Sequence, residues 1–77
     1  MINRDIFTER FKALRTAKNL TMVDVADALN IKKQSVNTWE TKKTVPSSDK
    51  LVDLAILLNV SIDYLVGRTD VPEVNKK

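Results

Sequence analysis

Apolar residues recur along this chain at the three- and four-residue spacings of amphipathic helices, while β-branched residues are scattered singly. The spacing predicts five helices. Their expected bounds are about Arg4–Lys18, Met22–Leu29, Lys33–Thr41, Ser48–Leu58 and Ile62–Val66. The clearest apolar stripe is in the fourth, which presents Leu51, Leu54, Ala55 and Leu58. The predicted fold class is therefore all-α.

Capping residues mark the ends of these helices. Thr21, with Asp24 three residues later, is close to a capping box, and Ser47 and Ser61 stand at N-cap positions. Three helices end at an asparagine followed by an apolar residue. These asparagines are Asn19, Asn30 and Asn59. Asparagine is the best substitute for glycine in the left-handed conformation that ends a helix, so a chain with one glycine can still turn tightly.

The length of 77 residues allows one domain with a small core. We expect a helical domain over residues 1–67 and a flexible C-terminal tail over 68–77, which has a proline, mixed charges and little to bury. The longest apolar run is only Leu54–Leu58, so no membrane segment is expected and the predicted location is cytoplasmic.

Composition excludes several classes of function. The chain has no cysteine and no histidine, which excludes disulfide scaffolds, zinc fingers and Cys or His nucleophiles. A single glycine excludes a glycine-rich phosphate loop. The acid pairs at helical spacing, Asp24 with Asp27 and Asp49 with Asp53, are interpreted as solvated faces. We therefore expect no enzyme activity, cofactor, metal or small-molecule substrate.

The second and third predicted helices are separated by only three residues, Asn30 to Lys32. So short a turn sets two short helices at a steep angle, which is the helix-turn-helix arrangement. Ala26 is small where the third helix must pass close. The apolar contacts would come from Val25, Leu29, Ile31, Val36 and Trp39.

This pattern resembles the lambda-repressor/Cro-type (Xre-family) helix-turn-helix domain between Arg10 and Gly67. Further family-like fragments are Arg10–Arg15, Trp39–Glu40 and Leu58–Leu65. The resemblance implies a compact five-helix lambda-repressor-like DNA-binding domain with the helix-turn-helix at helices two and three. It also implies a sequence-specific transcriptional regulator of double-stranded DNA, expected to be a repressor that acts as a homodimer.

The outer face of the third helix carries neither an apolar nor an acidic residue. Its side chains suit bases and phosphates, and the alternative is a merely solvated face. By resemblance, the base-reading residues are Lys33, Gln34, Asn37 and Thr38. The expected phosphate contacts are Thr21, Lys32, Thr41, Lys42, Lys43 and Thr44. Residues 29–46 carry a net charge of +3, equal to that of the whole chain, so the positive charge is concentrated here.

The resemblance also implies that Arg15 and Glu40 form a buried ion pair that orients the third helix. The alternative is two exposed charges. Trp39 is interpreted as a core residue rather than a base-stacking one, because it shares the face of Val36. Candidate dimer contacts are Val60, Ile62 and Leu65, with packing inside the chain as the alternative.

Three places depart from the family pattern, and one of them is Thr41–Lys42, where similar domains often have Asn-Gly. Met22 stands where similar domains often have a phosphate-binding glutamine, and Lys32 stands where they have a capping Ser or Thr. The alternative function on the same scaffold is an antitoxin-like or anti-repressor module whose main partner is another protein.

Overall fold

A computed structural model of the chain describes residues 4–41 and 44–73. This part of the chain contains five α-helices and no β-strand. The helices are α1 Arg4–Ala17, α2 Met22–Leu29, α3 Lys33–Thr41, α4 Ser48–Leu58 and α5 Ile62–Leu65. The predicted all-α class is confirmed, and every predicted helix is found with ends that differ by at most one residue. Among the helices described, none has the length and apolar character needed to cross a membrane.

One apolar core lies between the helices. The rings of Phe7 and Phe11, both on α1, stack with their centroids 5.8 Å apart. Phe11 also makes a T-shaped contact with Trp39 of α3, at a centroid distance of 5.8 Å. Trp39 is only 6% exposed, so it is a core residue and is not available to stack on a base. The apolar stripe of α4 is also buried, at Leu51, Leu54, Ala55 and Leu58.

Three helices end at asparagines in the left-handed conformation, as predicted. The φ angles are 59°, 57° and 58° at Asn19, Asn30 and Asn59. In each case the N–H of the next residue donates to the carbonyl five positions earlier, and that residue packs on the core. The donors are Leu20, Ile31 and Val60, at 3.0, 2.9 and 3.1 Å. Bonds of this type satisfy carbonyls that a helix end would otherwise leave free.

Two of the three predicted N-caps are confirmed. Thr21 and Asp24 form a complete capping box, and the Ser61 hydroxyl accepts from the N–H of Tyr64. Ser47 stands at the N-cap of α4 but makes no capping hydrogen bond with its side chain, so that part of the prediction is wrong. Its hydroxyl donates instead to the Asp49 carboxylate at 2.7 Å, which lowers the pKa of Asp49 below its usual value.

The described part of the segment after α5 makes contacts with the helices, and the flexibility of the tail stays a prediction. The Arg10 guanidinium of α1 lies 4.0 Å from the centre of the Tyr64 ring and donates to the Asp70 carboxylate at 2.9 Å. The N–H of Ser61 donates to the carbonyl of Pro72 at 2.9 Å. Arginine offers five donors, so one side chain can bind several groups of a crossing segment. The last four residues of the predicted tail lie outside the described part of the chain.

Candidate nucleic-acid interface

The turn between α2 and α3 is stabilised from two sides. Asn30 adopts a φ of 57°, and the N–H of Ile31 donates back to the carbonyl of Ala26 at 2.9 Å. Ala26 is 3% exposed, and its small side chain lets α3 pack closely against α2. From α4, the Lys50 ammonium donates to the carbonyl of Leu29, the last residue of α2, at 3.0 Å. The turn therefore has the short helix-turn-helix connection that the sequence predicted.

The two sides of α3 differ in burial and in chemistry. Val36 and Trp39 are buried in the core. Lys33, Gln34 and Asn37 are exposed on the remaining surface of the helix. This surface combines a cation with two amides, and amide side chains can donate and accept together at the edge of a base.

Threonine hydroxyls near the end of α3 are engaged by the protein itself. Thr38 donates to the carbonyl of Gln34, and Thr41 donates to that of Asn37, both at 2.8 Å. Thr44 donates to the carbonyl of Thr38 at 3.4 Å. Each hydroxyl oxygen keeps its capacity to accept, whereas its proton is already used. In this arrangement these threonines offer a ligand an acceptor or a methyl group, rather than a donor to a phosphate.

The start of α2 offers backbone N–H groups. The capping box uses the N–H of Asp24, which donates to the Thr21 hydroxyl at 3.0 Å, and the N–H of Thr21, which donates back to Asp24 at 2.9 Å. The first N–H groups of a helix have no acceptor within the helix, which leaves those of Met22 and Val23 available. The Asp24 carboxylate offsets part of the positive helix end, so this is a weaker anion site than an acid-free helix start. The Met22 side chain packs on the core.

Most of the predicted site lies on or beside α3. The helix carries Lys33, Gln34, Asn37, Thr38 and Thr41, of which only Thr38 is half-buried. Lys32 is exposed immediately before α3, and Thr44 is hydrogen-bonded to its end. Thr21 is on the neighbouring helix start. Lys42 and Lys43 lie outside the described residues.

A bidentate ion pair joins α1 to α3. The Arg15 Nε donates to one carboxylate oxygen of Glu40 at 2.5 Å, and Nη2 donates to the other at 3.1 Å. The third nitrogen, Nη1, donates to the carbonyl of Leu20 at 2.8 Å. The two side chains are 15% and 4% exposed, so the pair is largely removed from water. The open alternative of two exposed charges is excluded by this geometry.

Comparison with known proteins agrees with the arrangement of α2 and α3. The sequence profile of the helix-turn-helix family matches residues 11–65, which is well over half of the chain. The chain belongs to the helix-turn-helix family, of the lambda-repressor/Cro (Xre) type. This family consists of DNA-binding transcriptional regulators and not of enzymes.

Two relatives and one solved structure that are similar to this chain are named as transcriptional regulators or repressors. YobD of Bacillus subtilis, named as an uncharacterized HTH-type transcriptional regulator, is 41% identical over 68 residues, or 88% of this chain and 61% of YobD. The CTXphi cryptic-phage transcriptional repressor RstR of Vibrio cholerae is 37% identical over 60 residues, covering 78% and 54% of the two chains. The crystal structure of a transcriptional regulator from Listeria innocua aligns with a TM-score of 0.73 at 30% identity, covering 92% of this chain and 62% of that one. This chain therefore spans less than two thirds of each of these proteins.

The candidate dimer contacts of this helix-turn-helix chain lie in different environments. Leu65 is fully buried, so it packs within the chain and offers no surface to a partner. Val60 is 6% exposed, packs on the core and also lines the groove between α4 and α5. The assignment of Leu65 is corrected, because its side chain on α5 belongs to the apolar core, whereas that of Val60 stays a prediction. Ile62 is exposed, and with Val52 and Ile56 it lines an open apolar groove of about 450 Å³ between α4 and α5. Ile56 is 73% exposed.

Three polar residues that support this domain were missed by sequence reasoning. They are Thr8, Arg10 and Lys50, and each binds a backbone carbonyl of another helix or of the segment after α5. Nothing local distinguishes them from ordinary surface residues. Thr8 alone carries a weak signal, because it lies three residues before Phe11 and seven before Arg15, which places all three on one side of α1.

Proposed function

We propose that this chain is a sequence-specific regulator of transcription that inserts α3 into the major groove of double-stranded DNA. The observation that carries the proposal is the two-sided character of α3, whose buried side is anchored to α1 while Lys33, Gln34 and Asn37 are exposed. In helix-turn-helix proteins, the N-terminal residues of the second helix of the motif contact the edges of the bases. Lys33 suits guanine O6 and N7, and the amides of Gln34 and Asn37 suit adenine.

Thr38 completes the proposed set of base-reading residues in a more limited role. Its proton is bound to the carbonyl of Gln34, so its methyl group would contact a thymine methyl or its oxygen would accept from a base amine. We therefore expect Thr38 to contribute less discrimination than the exposed amides do.

Phosphate contacts would position the protein on the duplex. The proposed set is Thr21, Lys32, Thr41, Lys42, Lys43 and Thr44. The lysines supply the charge, because residues 29–46 carry a net +3. Thr21 would act through the helix start that it caps, which the Asp24 carboxylate weakens.

Arg15 and Glu40 would orient α3 without touching DNA. The pair joins α1 to the last turn of α3, and its bidentate geometry restricts rotation of α3 about its own axis. Glu40 is the one acidic residue of α3. Because Arg15 neutralises its charge inside the protein, Glu40 would repel a nearby phosphate backbone less.

Selection of bound sequences from a random DNA pool, followed by variants on the selected duplex, tests the proposal. Gln34→Ala should relax discrimination at one base step by about 1–3 kcal/mol. Lys43→Ala should weaken binding to all sequences alike and reduce the salt slope by about 1. Lys12→Ala, an exposed charge change on α1, is the matched control for Lys43→Ala. Binding that is indifferent to salt, or equal for all sequences after selection, would refute the proposal.

A second copy of the chain is the proposed occupant of the groove between α4 and α5. One domain makes few base contacts, and dimers of this class gain specificity by reading two half-sites about one helical turn apart. Val52, Ile56 and Ile62 would form the contact. Ile56→Glu should shift sedimentation of the free protein to the monomer, whereas Val23→Glu, an equally drastic change at an exposed position of α2, should not.

The same groove is the observation that favours the alternative function, an antitoxin-like or anti-repressor module. A chain that stays monomeric, binds one protein partner stoichiometrically and binds no DNA would support this alternative. If Ile56→Glu abolished binding of that partner, the partner would be assigned to the groove.

We further propose that the regulator acts as a repressor, as the name of RstR states for that protein. Another relative is named as an activator, so a reporter gene downstream of the selected operator is the deciding test. Repression predicts that expression rises when the chain is deleted. The relatives are bacterial, and bacterial DNA lies in the cytoplasm, so the proposal implies that location.

A further inference from the structure

The C-terminal end of α3 is bound by a side chain from α1. The last four carbonyls of an α-helix have no N–H partner within the helix. The carbonyl of Trp39 belongs to this set, two residues before the helix ends at Thr41, and it accepts a hydrogen bond from the hydroxyl of Thr8 at 3.0 Å. Thr8 is half-buried, which protects the hydrogen bond from competition by water.

Thr8 belongs to a row of three residues on α1 that hold α3. Phe11 packs its ring against Trp39, and Arg15 pairs with Glu40. The three contacts restrict different motions. The ring contact sets the distance between the helices, and the ion pair resists rotation of α3. The hydrogen bond of Thr8 is directed at a backbone atom, so it resists sliding of α3 along its axis.

We propose that Thr8 is a positioning residue for base recognition, a proposal that rests on the proposed reading of bases by α3. Its hydroxyl holds the backbone of α3 near the C-terminal end, while the exposed amide of Gln34 lies near the N-terminal end and that of Asn37 lies in the middle of the helix. Bidentate contacts to a base tolerate little displacement, whereas contacts to phosphates through long lysine side chains tolerate more. Loss of the Thr8 hydrogen bond should therefore reduce the preference for the selected operator more than it reduces general affinity for DNA.

The test compares Thr8→Val, which removes the hydroxyl at constant shape, with Thr8→Ser, which keeps it. Thr16→Val is the matched control, because Thr16 is an exposed threonine on the same helix. For each variant the dissociation constants for the selected operator and for a scrambled duplex are measured, together with unfolding in urea. We expect Thr8→Val to lower the ratio of the two affinities by about two- to tenfold, an effect typical of one net hydrogen bond. Thr8→Ser and Thr16→Val should keep the wild-type ratio.

Several outcomes would overturn the proposal. These are an unchanged ratio in Thr8→Val, an equal loss of affinity for both duplexes, and a ratio in Thr8→Ser as low as in Thr8→Val. If Thr8→Val is too unstable to measure, Thr8→Ala removes the same hydroxyl without adding an apolar branch. Gln34→Ala distinguishes failure of this proposal from failure of the proposal that α3 reads bases. If Gln34→Ala lowers the ratio and Thr8→Val does not, only the role of Thr8 is refuted. An unchanged ratio in both Gln34→Ala and Asn37→Ala refutes base reading by the amides of α3, and the role of Thr8 is then refuted with it.

Discussion

Replacing Arg15 with methionine removes the cationic partner of a buried carboxylate and keeps an unbranched side chain in its place. The Glu40 side chain is 4% exposed, so its charge cannot be solvated once the guanidinium is gone. The carbonyl of Leu20 loses its arginine donor at the same time. Breaking a buried pair by deleting one member costs about 3–5 kcal/mol. A domain of this size is stabilised by about 4–12 kcal/mol in total, so the substitution should remove a large part of the stability.

Two further variants separate the cost of a stranded charge from the loss of the pair itself. Glu40→Gln also leaves a charge behind, but Arg15 is the more exposed partner, at 15% against 4%, and it can still donate to the new amide oxygen and to Leu20, so we expect a smaller loss than for Arg15→Met. The double variant Arg15→Met with Glu40→Leu leaves no charge behind. It should therefore be more stable than Arg15→Met alone, although it carries one more substitution.

Unfolding in urea can be followed through the fluorescence of Trp39, which is the single tryptophan of the chain. Trp39 is buried and directly precedes Glu40 in the sequence. Arg4→Met, an exposed change in the first turn of α1, is the control and should cost less than about 0.5 kcal/mol. The reasoning is refuted if the double variant is no more stable than Arg15→Met. It is also refuted if Arg15→Met behaves like Arg4→Met.

Three other predictions concern the turns and the segment after α5. Asn30→Ala should destabilise the fold by about 1–2 kcal/mol in urea unfolding while Asn30→Gly costs less, because the position has a positive φ; equal losses would contradict this. Arg10→Ala should speed hydrogen exchange of the Ser61 amide, which is bonded to the segment that Arg10 holds; unchanged protection would show that the segment stays in place without it. Ser47→Ala should raise the pKa of Asp49 toward its usual value in an NMR titration. Since that pKa is lowered in the folded state, the stabilisation is present above the usual carboxyl pKa and is lost as the pH falls through the lowered value.

Local structure could be predicted closely because its causes are local. The end of α2 at Leu29 follows from Asn30, and the start of α2 follows from Thr21 and Asp24, all within a few residues of the feature that they determine. The buried side of α3 follows from the spacing of Val36 and Trp39. None of these features needs a partner elsewhere in the chain.

Part of the candidate site could be predicted only from the resemblance to a known family and not from the local sequence pattern. A polar face on a nine-residue helix indicates only solvent exposure until the helix is placed in the helix-turn-helix motif. The pairing of Arg15 with Glu40 has the same origin, since residues 25 positions apart carry no periodic signal that joins them.

The sequence alone determined the five helices, their ends and the stripes that they bury, because helix periodicity and capping act over about four residues. Only the tertiary structure decided that Val60 and Leu65 are internal while Ile56 is exposed, since that depends on how α4 and α5 meet. It also decided the partners of Thr8 and Arg10, which lie 31 and 59 residues away along the chain. A hydroxyl or guanidinium can bind any carbonyl, so its choice is made by the packing of apolar faces around it.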